Sequence, residues 1–367
     1  MSARRPSGRR PRHRVSRRDY NPLSPAFNRR PCQALPERLL PPREIVYNTP
    51  AMNNATPPPS TVRKWVVAAR PWALPASTMP VLFGTSLAVV IGGASLAPVR
   101  FLLALVAMMT LHSAANMLSD VFDFRRGLDR DVTPVSGAIV RGWLTDRQVA
   151  RGSAVLFAAG AALGLLLAFW TGYVLLAIGG VGVLIGLFYS GLKYHAWGDF
   201  AVFMNFGILG SLGAWTVQTK AFDWRPVIWT VPMAMLVIGI LHANNWRDTA
   251  SDTERRVRTV ASLLGDRGSF VYYGVLIFGS LGLILAYIAF PRLVGPRVPA
   301  LPWASAVVLA GLPKALALWG RARRRRTPRR PLDFIILDGA TAQYNLVFGL
   351  LCTLGLWLDF AIGLIKR

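Results

Sequence analysis

The stretch "FLLALVAMMTLHSAANMLSDVFDFRRGLDRD", residues 101–131, runs from hydrocarbon to carboxylate without a break. From Phe101 to Ser119 there is no Asp, Glu, Lys or Arg. At about 1.5 Å per residue, a helix of that length nearly crosses a ~30 Å hydrocarbon layer. Asp120, Asp123, Asp129 and Asp131 then follow closely, in a chain with 17 acidic residues against 42 Lys and Arg. Carboxylates at a membrane boundary are costly unless they are paired, hydrated or bound to a cation. The segment therefore predicts a membrane span that ends in a site.

The rest of the chain agrees with a membrane setting. It is 53% hydrophobic and 16% charged, with mean hydropathy +0.39. The net charge of +25 does not indicate nucleic acid, because the arginines sit in a terminal tail and in particular loops. That is the distribution expected from contact with anionic lipid and from topology rules. Cys32 and Cys352 form neither a disulfide framework nor a zinc spacing. Residues 1–62 are dense in Arg, Pro and Ser, lack apolar periodicity and are expected to be disordered, with Met52 an alternative translation start. Residues 63–367 form the expected transmembrane domain.

Nine apolar stretches are long enough to span: about 73–93, 101–120, 152–171, 173–190, 199–218, 226–245, 269–290, 299–319 and 342–364. The third and fourth meet in a tight hairpin at Thr171 and Gly172. With the N-terminus inside, the inner loops carry 19 basic residues and the outer loops and C-terminus 7, as the positive-inside rule requires. The expected fold is thus an all-α polytopic membrane bundle of about nine helices. Its motif-bearing end would be cytoplasmic, in an inner membrane of bacterial type.

A second acidic stretch, "NNWRDTASD" at 244–252, closes the sixth span. At about 100° per residue, Asn116, Asp120 and Asp123 share one arc of a helix, and Asn245, Asp248 and Asp252 share another. Asn244 and Asp248 are a further i, i+4 pair. The echo suggests an internal repeat with two acidic faces opposed across one cavity. All-oxygen donors favour a hard cation, Mg²⁺ before Ca²⁺, and Mg²⁺ usually completes its shell with water and phosphate oxygens. Arg70, Arg125, Arg126, Arg141, Lys193 and Arg247 are basic residues suited to phosphate. A diphosphate held by Mg²⁺ between the two motifs fits all of these features.

These motifs resemble those of the UbiA-type intramembrane prenyltransferases. "ARPWALPASTMPVLFGTSLA", "TPVSGAIVRGWLT", "YSGLKY", "WGDFAVFMNFG" and "DGATAQYNLVFGLL" resemble the family as well, over about residues 65–364. Within the family, the branch that makes menaquinone from 1,4-dihydroxy-2-naphthoate is the most similar. The resemblance implies a helical bundle around a central cavity, a polyprenyl diphosphate with its head on Mg²⁺ and its tail in the membrane, and an aromatic acceptor. It assigns metal ligation to Asn116, Asp120, Asp123, Asn245, Asp248 and Asp252. Tyr189 and Lys193 match a Tyr-x-x-x-Lys pattern, with the lysine on the diphosphate beside Arg70, Arg141 and Arg247. "YSGLKYHAWGD" departs from the branch by its short loop, near the side where the acceptor enters in the family.

The chemistry so implied is ionisation of an allylic diphosphate, with Asp123, Asp252, Lys193 and Tyr189 as the catalytic set. An electron-rich ring then attacks the allyl cation. Phe122, Tyr189, Tyr194 and Trp246 are aromatic candidates for cation–π contact. His112 and His242 are candidates on the acceptor side. Two other readings compete: transfer to another acceptor, such as a quinolone or phenazine, and an ion-coupled transporter. Acids at span ends rather than at midplane disfavour the transporter.

Overall fold

The computed structural model describes residues 59–128, 132, 137–290, 300–325 and 337–365. The tail expected to be disordered and the alternative start at Met52 fall outside these residues, as do Asp129 and Asp131. The described chain is helical, and its one β-type contact is a single bridge between His195 and Arg258. In order, the helices are α1 (Thr61–Ala69), α2 (Pro75–Val90), α3 (Pro98–Arg125), α4 (Asp146–Thr171) and α5 (Tyr173–Lys193). They continue with α6 (Gly198–Thr219), α7 (Pro226–Glu254), α8 (Val260–Ala289), α9 (Trp303–Arg323) and α10 (Leu337–Ile365). Among the described residues, eight are long and apolar enough to cross a membrane, and α1 with α2, bent by 53°, makes a ninth if the pair is one span. Eight of the nine expected stretches correspond to these eight helices, and the first, 73–93, falls on α2 of the bent pair.

Helix ends follow their sequences. Thr145 and Gln148 cap α4 reciprocally, and Thr259 and Ser262 do the same for α8, which satisfies amide groups that a helix start leaves unpaired. Gly172, at φ 125°, is the single residue between α4 and α5, so the expected hairpin turns there. Gly127, at φ 74°, ends the excursion beyond α3. Helices α3 and α7 have 28 and 29 residues, each about 42–44 Å long. That exceeds a ~30 Å hydrocarbon core, so each acidic motif rides on the uninterrupted end of a spanning helix.

Helix α2 packs against α3, α6, α7 and α10; α3 lies along α4, and α7 along α8. The main core gathers Phe83, Trp229, Met233, Tyr273, Ile277, Tyr344 and Phe348, all nearly inaccessible. Phe169, Tyr173 and Phe188 face outward, as lipid-facing positions do. Lipid tails are as apolar as the side chains, so helix association depends on close packing and buried hydrogen bonds. A Cβ added to Gly207 of α6 would collide with Ala234 of α7, so that glycine permits the two backbones to touch. Tyr273 and Thr341 share a 2.7 Å hydrogen bond, and Trp357 Nε1 donates to Ser86 Oγ at 3.0 Å.

Candidate active site

Helices α3 and α7 bring their polar ends to one cavity of about 390 Å³. From α3 come Asn116, Ser119 and Asp123; from α7 come Asn244, Arg247, Asp248, Ser251 and Asp252. Further polar residues on the wall are Arg70, His112, Tyr189, Lys193, Asn205, Arg255 and Asp338. The two motifs do face each other across a single space.

The faces are rotated from those read off the sequence. On α3 the cavity arc runs through Asn116, Ser119 and Asp123, and Asp120 does not line it. Asp120 instead pairs with Arg70 Nη2 at 2.5 Å, beside Gly137, where a Cβ would crowd its carboxylate. On α7, Asn244 lines the cavity, and Asn245 is buried at 2% exposure with no partner for its Oδ1 among the described residues. At about 100° per residue, one step round the helix exchanges the two asparagines. The sequence held both i, i+4 and i, i+3 pairings, and the structure selects Asn244 with Asp248.

Each motif carboxylate with a resolved ion pair is matched by a base from the cavity's surroundings. Asp123 accepts from Lys193 Nζ at 3.1 Å and from the Tyr194 hydroxyl at 2.7 Å. Burial, reinforced by the Asp123 carboxylate, pushes the Tyr194 phenol above its ordinary range, so that phenol stays a proton donor. Tyr194 is fixed by the short loop that departs from the branch pattern. Ala196 N donates to Arg258 O at 2.7 Å, and Arg258 N to Tyr194 O at 3.2 Å. Asp248 takes Arg247 Nε at 2.9 Å and Nη2 at 2.9 Å. Arg247 also donates to Asp338 at 2.7 Å and to Asn244. Asp338, at the start of α10, opens the stretch "DGATAQYNLVFGLL", which carried the family resemblance but no assigned site residue.

Other expected residues lie elsewhere. Arg141 stacks over Trp143 at 5.2 Å. Arg125 pairs with Asp146 at 2.9 Å and Arg126 covers the Tyr194 ring at 4.2 Å. His242 is fully buried, 4.0 Å from Asp199 and edge-on to Tyr272. Trp246 is buried and donates to Asp266 at 2.7 Å, and Phe122 points outward. None of these lines the cavity, whereas Tyr189 and His112 do.

Among the described residues, no three His, Cys, Asp or Glu side chains converge closely enough to hold a metal by themselves. The cavity donors are carboxylate, carboxamide and hydroxyl oxygens: Asp123, Asp248, Asp252, Asn116, Asn244, Ser119 and Ser251. That set suits Mg²⁺, which commonly takes one or two carboxylates and fills its shell with water and substrate phosphate.

A second cavity of about 490 Å³ adjoins the first, lined by Leu111, Leu165, Leu176, Val183 and a series of glycines. Its lining is almost wholly apolar, while the first cavity's is mixed. The pair thus accommodates a molecule with an anionic head and a hydrocarbon tail.

The UbiA prenyltransferase family profile matches residues 77–359. UbiA prenyltransferase domain-containing protein 1 of Danio rerio is 33% identical over 298 residues, covering 80% of this chain and 83% of that protein. The human protein of the same name is 31% identical over 308 residues, covering 82% and 86%. Among solved structures, a UbiA homolog from Archaeoglobus fulgidus bound to GPP and Mg²⁺ matches with TM-score 0.55 at 14% identity, covering 79% of this chain and 99% of that one. The apo UbiA homolog from Aeropyrum pernix K1 gives TM-score 0.53 at 17% identity, covering 77% and 98%. The Danio rerio and human relatives are animal prenyltransferase-domain proteins rather than bacterial naphthoate enzymes, so the expected branch and bacterial membrane gain no support from them. With the profile spanning most of the folded region and the relatives covering four-fifths of the chain, the chain belongs to the UbiA prenyltransferase family.

Proposed function

We propose that this prenyltransferase moves a polyprenyl group from an allylic diphosphate to an aromatic acceptor, with 1,4-dihydroxy-2-naphthoate or a close naphthoquinol the best-fitting acceptor. One observation carries the reading. Two motif faces and four basic side chains, Arg70, Lys193, Arg247 and Arg255, share a polar cavity that continues into an apolar one. Lys193, Arg247 and Arg70 meet the diphosphate oxygens, and the glycine- and leucine-lined space takes the hydrocarbon chain. The solved archaeal homolog with GPP and Mg²⁺ supports the same donor class. The excess of basic residues in the motif-side loops supports a cytoplasmic active site.

Bound Mg²⁺ would be held by Asp123, Asp248 and Asp252 with Asn116 and Asn244, and would supply Lewis-acid stabilisation of the departing diphosphate. Lys193 and Arg247 add fixed positive charge where negative charge grows on the leaving oxygen. Tyr194, bonded to Asp123, holds that carboxylate in place. Tyr189 presents a ring to the developing allyl cation from the cavity wall. The apolar surroundings keep water from the cation until the aromatic carbon attacks it. Diphosphate leaves, a C–C bond forms and the ring proton passes to a cavity carboxylate, Asp123 or Asp252.

The test uses purified protein in lipid nanodiscs with Mg²⁺, geranylgeranyl diphosphate and a panel of naphthoquinols, quinolones and phenazines, read by product mass. Prenylated naphthoquinol is expected. Product from another acceptor alone would replace the acceptor assignment, and no product from any aromatic would overturn the reading.

A further inference from the structure

The two cavities meet at a neck formed by His112, Ala115, Gly186, Asn205 and Phe206, which line both. Among the residues lining the apolar cavity, His112 and Asn205 alone carry side-chain nitrogen or oxygen. The His112 ring is committed: Nδ1 lies 2.9 Å from Ser77 Oγ and the ring packs on Phe206 with centroids 4.4 Å apart. The Asn205 carboxamide has no hydrogen-bond partner among the described residues.

Its backbone setting is unusual. Helix α6 widens to a π-type turn over Phe203–Leu209, where the Gly210 N–H donates to the Asn205 carbonyl five residues back. Such turns insert a residue into the ladder, redirect the neighbouring side chains, and recur at functional sites. Gly207 lets the widened segment press on Ala234, and a Cβ on Gly182 of α5 would sit 2.9 Å from Asn205 Oδ1. The carboxamide oxygen thus lies beside the α5 backbone at Gly182, and Asn205 lines both cavities where they meet.

We propose that Asn205 orients the acceptor by hydrogen-bonding a ring oxygen, hydroxyl or carbonyl, at the neck where the prenyl chain leaves the polar cavity. A carboxamide both donates and accepts, which matches either oxygen. The prenyl chain is hydrocarbon and offers it nothing, and the diphosphate is already met by Lys193 and Arg247 at the far wall. A site built to bond a substrate oxygen discriminates strongly against analogues that lack it. The proposal rests on the aromatic-acceptor reading and sharpens it: the acceptor must carry an oxygen beside the carbon that is alkylated.

Asn205→Leu replaces the carboxamide with an apolar side chain of the same branching, and Asn205→Ser restores one hydroxyl. Binding of unreactive geranylgeranyl thiodiphosphate with Mg²⁺, acceptor KM and thermal unfolding would be measured for both and for the parent. For Asn205→Leu, thiodiphosphate binding is expected within about twofold of the parent and acceptor KM raised roughly 10–100-fold. Preference for a hydroxylated acceptor over its O-methyl ether should fall with it, and Asn205→Ser should lie between. An unchanged acceptor KM, or a loss confined to thiodiphosphate binding, overturns the role of Asn205. If Asn205→Leu does not fold, a parent-like acceptor KM in Asn205→Ser with an unchanged preference for the hydroxylated acceptor also overturns it. Parent protein that transfers to no aromatic at all overturns the acceptor class instead.

Discussion

Lys193→Met should move two constants in opposite directions. Lys193 Nζ is 3.1 Å from Asp123 Oδ2, with the two side chains 14% and 9% exposed. Coulomb attraction at that distance is about 5 kcal/mol at an effective dielectric of ~20. Water in the open cavity reduces this to about 1–2 kcal/mol, between a surface pair and a buried one. In the resting protein that energy competes with cation binding at Asp123. Removing the lysine frees the carboxylate, so the Mg²⁺ concentration for half-maximal activity should fall roughly 5–30-fold. The same lysine contacts diphosphate in the bound state, and a charge-assisted hydrogen bond is worth about 1.5–3 kcal/mol. KM for geranylgeranyl diphosphate should therefore rise roughly 10–150-fold. Both constants come from one matrix of initial rates over Mg²⁺ and donor. If half-activation by Mg²⁺ weakens together with donor KM, Lys193 is not the resting counter-ion of the metal site and the reasoning fails.

Other substitutions probe separate parts of the account. Asp248→Asn should lower kcat by at least about 100-fold, a loss of some 2.7 kcal/mol. Arg247 keeps Asp338, so the thermal midpoint should stay within a few degrees, as a melting curve beside the rate assay would show. Tyr194→Phe deletes the 2.7 Å bond to Asp123 and should cost about 1.5–3 kcal/mol in kcat/KM, read from donor-saturation kinetics. Gly207→Ala drives a methyl into Ala234 and should destabilise the bundle by about 1–3 kcal/mol. Restoring space with Ala234→Gly should recover much of the loss in detergent unfolding, and no recovery would mean the contact is not the cause.

Much of the fold was legible because a bilayer imposes a simple rule: long apolar stretches become helices, and Gly172 between two of them becomes a hairpin. The two motifs were legible because acid at a span end is rare enough to need a partner. The rotation of each face was not. Periodicity places Asp120 and Asp123 within about 60° of one another, and only the position of Arg70 decides which turns to the cavity. Asn244 and Asn245 are adjacent, so helix packing alone selects between them. Asp338 joins the site from α10 through Arg247, a long-range contact that no local pattern announces. Asn205 sits on a widened turn, where α-helical spacing misplaces every face.

The central claim is that the α3 and α7 faces together hold one metal-bound diphosphate. Its most direct test is Mg²⁺-dependent diphosphate release by the purified protein with geranylgeranyl diphosphate and a naphthoquinol, compared among parent, Asp123→Asn and Asp248→Asn. The account predicts release matched one-to-one by prenylated product in the parent, abolished by EDTA, restored by Mg²⁺, and lost in both variants. Release that persists in EDTA, or survives in either variant at the parental rate, would contradict it.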